Sequence, residues 1–102
     1  MDQRRQGDIL FERCTMPKGV KKSKSGVLAH GEVTGHTHQV NLDECDVFVD
    51  ENGNMFVEAK QDTSVVHEEH GPIDLKTGDV FSVQRQREYD PIAEERERRV
   101  AD

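Results

Sequence analysis

The sequence predicts a mainly β, single-domain protein: a small antiparallel β-barrel or sandwich with a short C-terminal helix. Three observations carry this. Apolar residues come in short runs punctuated by glycine, proline and asparagine, at strand rather than helix length. Asp46 to Ala59 holds two such runs flanking Asn52-Gly53, the favoured pair for a type I′ hairpin turn. No helix-length segment separates the strand-like runs, which excludes a parallel α/β fold built on crossover helices.

The elements follow in order. Gly7 to Cys14 reads as a first strand, and Pro17 to Gly26 as a basic loop with turn chemistry at both ends. Val27 to His30 resumes an extended run, with Gly31 and Gly35 marking a bend or bulge. Glu32 to Leu42 forms the next strand, and its even positions place His36, His38, Val40 and Leu42 on one face. After the Asn52-Gly53 hairpin, a strand spans about Ser64 to His70 until Gly71-Pro72 breaks it. Lys76 to Asp79 is a second tight turn. Val80 to Tyr89 is the last strand, with Phe81, Val83 and Arg85 sharing a face. Asp90-Pro91 supplies an N-cap and a proline at the first helical position for a helix over Ile92 to Ala101. The 102 residues make one domain, with 1–6 and 95–102 free to fray.

Composition narrows the functional classes. At 32% hydrophobic and 34% charged residues, the chain builds a thin core and needs support from a metal, a partner subunit or good turns. No apolar stretch has the roughly 20 residues of a membrane span, and no apolar run of signal-peptide type follows the polar N-terminus. A cytoplasmic location is expected. Cys14 and Cys45 form no CxxC pair and are expected to be reduced and structural. Residues 1–25 hold seven Lys/Arg against three Asp/Glu, whereas 26–84 hold two against twelve. The acidic middle attracts cations and repels phosphates.

All five histidines lie in that acidic middle. His36 and His38, at i and i+2 on one strand, can reach one ion from the same face. His67 and His70, in Val66-His-Glu-Glu-His70, offer further imidazoles beside two carboxylates, and Glu44 shares parity with His36 and His38. The candidate metal ligands are therefore His36, His38, His67, His70 and Glu44. Which of His67 and His70 faces inward stays open, because Gly71-Pro72 can reset the register. Imidazoles with a carboxylate suit Zn, Fe, Mn or Ni. His30 stands apart.

The run Gly31-Glu-Val-Thr-Gly-His-Thr-His38, followed by Glu44, resembles the first metal motif of the cupins. That resemblance implies a cupin-like barrel with His36, His38, Glu44 and one of His67 or His70 on the metal. Most of the chain is also similar to a group of small uncharacterised bacterial and phage proteins. The stretches that carry this are Gln6-Gly-Asp-Ile9, Glu32 to His38, His67 to Ile73 and Arg85 to Tyr89.

Lys18, Lys21, Lys22 and Lys24 make a basic loop and Arg85 and Arg87 share one face of the last strand, the groups that could together hold phosphates. Aromatics are 5% of the chain, too few for base stacking, so nucleic acid is a disfavoured partner. No nucleophilic triad or phosphate-binding glycine loop is present. The expected function is that of a small metal-binding β-barrel holding one divalent transition metal, with room for a small-molecule ligand. Whether it is an enzyme stays open. The alternative is a non-enzymatic interaction module, a phage or mobile-element accessory or nucleic-acid-binding protein, that self-associates as a homodimer.

Overall fold

The computed structural model describes residues 2–30 and 35–85. They form ten short strands and, among the described residues, no helix. The strands are β1 (Gln3–Gln6), β2 (Ile9–Arg13), β3 (Lys21–Lys22), β4 (Val27–His30), β5 (Thr37–Gln39), β6 (Cys45–Val49), β7 (Met55–Ala59), β8 (Thr63–Val65), β9 (Ile73–Leu75) and β10 (Val80–Arg85). The helix expected after Asp90-Pro91 lies outside the described residues.

Six strands form one antiparallel sheet in the order β1-β2-β10-β7-β6-β3, and two hairpins, β4-β5 and β8-β9, stand as separate two-stranded sheets. The large sheet does not close, so the barrel expected from the sequence, cupin-like or otherwise, is corrected to an open sheet with hairpins. Its terminal strands β1 and β3 do not pair with each other. β3 is only the lysine pair Lys21–Lys22 and offers little ladder for closure. Charged residues also blunt that edge against further pairing.

Alternation explains where the core sits. The cross-strand partners Phe11 and Val83, Phe81 and Val57, and Val57 and Val47 share one face of the sheet. On that face Ile9, Phe11, Cys45, Val47, Val57 and Phe81 are buried, together with Leu28 and Val40 and with Val65, Ile73 and Leu75 of β8 and β9. The hairpins thus contribute to the core that the sheet's inner face begins. β1 belongs to the same sheet, with Gln6 opposite Ile9 and Arg4 opposite Phe11. Gln6 is therefore turned inward, although it is polar. Arg4 and Arg13 lay their guanidinium groups over the Phe81 ring at 5.0 and 4.9 Å.

Several local expectations change; within the basic loop read over Pro17 to Gly26, Lys21–Lys22 is a strand paired with β6. The first strand of the sheet is Gln3–Gln6, upstream of the one read from the sequence, joined to β2 through Gly7-Asp8. The β6-β7 hairpin forms, but its turn is not type I′. That turn needs positive φ at both central residues, and here only Gly53 has it, at φ 84. Asp50 accepts the N–H groups of Asn52 and Asn54, and its carbonyl accepts that of Gly53. The result is a longer loop capped by an aspartate. The strand read over Ser64 to His70 stops at Val65, with one bridge at Val66 to Gln39. Residues 68–70 are a bend, entered through His67.

Candidate metal centre

The bend decides the site. On a strand, His67 and His70 would face opposite sides. Instead His67 Nδ1 accepts the backbone N–H groups of Glu69 (3.0 Å) and His70 (3.2 Å) and folds the segment back on itself. Both rings then lie beside β5. The His67 ring centroid is 4.4 Å from that of His38, 4.6 Å from His70 and 5.6 Å from His36. The His38 and His70 rings are stacked at 6.4 Å. Four of the five histidines form one cluster with His67 at its centre; His67 is half-buried there and His70 is exposed.

His38 is the inner wall. Its side chain is 3% exposed, against 29% for His36. Gln6, itself buried, donates both amide protons to backbone carbonyls, Val65 at 3.0 Å and Gly71 at 2.9 Å. Its oxygen is left facing His38 Nδ1 at 2.8 Å. A carbonyl oxygen can only accept, so Nδ1 carries the ring proton and Nε2 presents a lone pair. Burial, and then the neighbouring His67, holds the His38 pKa below the usual 6.5, with Asp8 opposing and His70 and Arg85 adding to the effect. The ring is neutral at pH 7, the form a metal requires. On its Nε2 side stands Asp8 Oδ1 at 3.6 Å, while the other Asp8 oxygen meets Arg85 Nε at 3.3 Å.

The outer rim carries the carboxylates. His36 Nδ1 lies 3.4 Å from Glu69 Oε1. Glu68 accepts the N–H of Thr37 at 3.0 Å, and its pKa is held below the usual carboxylate value by backbone N–H donors, its own and that of Thr37. Donor atoms of His36, His67 and Glu68 all lie within 4.8 Å of one another. A cavity of about 200 Å³, lined by Thr37, Gln39, Val66, His67 and Glu68, opens beside them.

Glu44 is placed differently. Its two carboxylate oxygens accept from Gln61 Nε2 and Thr63 Oγ1, both at 2.9 Å, and its carbonyl accepts Lys60 N–H. The exposed His30 pairs with Thr37 across the β4-β5 hairpin, and its carbonyl accepts Arg85 Nη2. Both cysteines are free, and burial pushes the Cys45 thiol up to about 11. Sequence reasoning missed Gln6 and Asp8. Their signal was the Gly7-Asp8 turn pair at the head of β2, which marks a hairpin whose tip meets the histidines.

A family model described as a domain of unknown function, DUF8820, matches residues 5–86. No curated protein and no solved structure matches the chain.

Proposed function

We propose that this chain, which belongs to the DUF8820 family of domains of unknown function, binds one divalent transition metal ion in its histidine cluster. The observation that carries this reading is the gathering of His36, His38, His67 and His70 from two hairpins into one set of ring contacts, with donor atoms of His36, His67 and Glu68 within 4.8 Å of one another. Four imidazoles in ring contact have poor reason to gather in a thin-cored protein unless something shared holds them. Zn, Fe, Mn and Ni all accept such a donor set. Binding would also supply folding free energy that a small apolar core lacks. An ion that takes three protein ligands keeps a position for water or a small ligand. The cavity beside His67 and Glu68 gives that position room.

Binding is coupled to the bend entered through His67. His67 Nδ1 now accepts two backbone N–H groups, so in the neutral ring the proton sits on Nε2. An ion at Nε2 requires the proton on Nδ1, and an ion at Nδ1 takes the lone pair directly. Either way His67 gives up its backbone donors.

The test is calorimetric titration of tag-free protein with Zn, Mn, Fe(II) and Ni, alongside His67→Gln and His30→Gln. One saturable site, lost in His67→Gln and kept in His30→Gln, is expected. Absence of saturable binding for all four ions overturns the reading.

A further inference from the structure

The donors considered so far come from β5, from His36 just before it, and from the segment 67–70. The tip of the β1-β2 hairpin brings a third element to the same place. Gly7 has φ 59 and lies against the His70 and His38 rings; a Cβ there would stand 2.8 Å from His70 Nε2 and 3.5 Å from His38 Cε1. Gln6 and Asp8 flank it and both address His38.

Building on the metal-binding reading, we propose that Asp8 is a ligand of the same ion. Gln6 is then a positioning residue that locks His38 in the Nδ1–H form. The chemistry is that of two acceptors turned toward each other. Gln6 spends both amide protons on Val65 and Gly71, which fixes its oxygen on His38 Nδ1 and so fixes the lone pair on Nε2. Asp8 Oδ1 faces that lone pair at 3.6 Å. Arg85 offsets the Asp8 charge from the far side, and a cation between the two acceptors would be held by both. Two ligands at about 2.0–2.1 Å from a tetrahedral ion stand about 3.4 Å apart, close to the separation the apo pair already has. Arg85 engages the other Asp8 oxygen and keeps Oδ1 on the His38 side. The Gln6–His38 contact has the form of the outer partner that metal-binding histidines commonly use to fix their ring.

The alternative occupant of the gap is a proton, giving a charged His38 beside Asp8. Long-range ¹H–¹⁵N spectra of the metal-free protein at pH 7 separate the two. The proposal expects a neutral His38 protonated on Nδ1 only; a proton on Nε2, in either a neutral or a doubly protonated ring, overturns the role of Gln6. Zn affinity of Asp8→Asn and Gln6→Leu, with fold checked by circular dichroism, gives the second arm. Asp8→Asn should weaken Zn by at least about tenfold, and Gln6→Leu by roughly 10–100-fold with mixed His38 tautomers. Wild-type affinity in Asp8→Asn, with binding lost in His67→Gln, would overturn Asp8 as ligand and leave the metal site standing. No binding of Zn, Mn, Fe(II) or Ni by the wild type would overturn both.

Discussion

Gly7 and His70 are in contact: a Cβ on Gly7 would stand 2.8 Å from His70 Nε2, and the Gly7 backbone has φ 59. The hairpin tip therefore holds one wall of the histidine cluster at a position that a side chain disturbs twice over. Gly7→Ala should cost about 1–2 kcal/mol in denaturant unfolding from the positive φ alone. It should also displace His70 and weaken Zn binding. An alanine variant with wild-type stability would show that the tip relaxes freely.

Metal binding should be visible at the bend. Because His67 Nδ1 accepts the N–H groups of Glu69 and His70, ligation by His67 must release both. Addition of Zn to ¹⁵N-labelled protein should shift these two amide resonances more than those of the distant β6-β7 loop, Glu51 to Gly53. Unmoved Glu69 and His70 amides in a Zn-saturated sample would exclude His67 as a ligand.

Acid sensitivity should centre on Asp79. Its carboxylate accepts Arg13 Nη1 at 2.6 Å and Lys76 N–H at 2.8 Å. Burial acts to raise its pKa, but Arg13 and the Lys76 N–H together hold it below the usual 3.8. The unfolded chain therefore takes up this proton first as pH falls. The stabilisation is complete above about pH 5 and is lost below 3.8 as the folded value is approached. Asp79→Asn should lower stability at pH 7 by about 1–2 kcal/mol and flatten its dependence between about pH 5 and 3. An unchanged slope in that window would assign the acid loss to other carboxylates.

The two thiols should differ. Cys45 is fully buried, with its pKa pushed up to about 11 by burial, whereas Cys14 is half-buried at the end of β2. A thiol reagent at pH 8 should modify Cys45 only on the timescale of unfolding. Rapid modification of both cysteines in the native protein would contradict the core described here.

The strand content was legible because period-2 alternation at Phe81, Val83 and Arg85, and the apolar runs either side of Asn52-Gly53, are local signals. Sheet closure was not: whether β1 meets β3 depends on long-range pairing that no alternation records. The histidines were legible as residue types, and His36 and His38 as a same-face pair. What failed was parity at His67 and His70. A histidine that accepts backbone N–H groups turns a strand into a bend, and both rings arrive where alternation allowed one. Gln6 and Asp8 were hidden for a related reason. Polar residues at a hairpin tip read as solvent-facing until the register with Ile9 turns Gln6 inward.

The central claim is that the cluster holds a metal, and elemental analysis of tag-free protein tests it most directly. Protein purified without chelators should carry about one equivalent of a single transition metal, and chelation should lower its melting temperature, with Zn, Mn, Fe or Ni restoring it. Less than about a tenth of an equivalent, with no rise in melting temperature on adding any of these ions, would contradict the account.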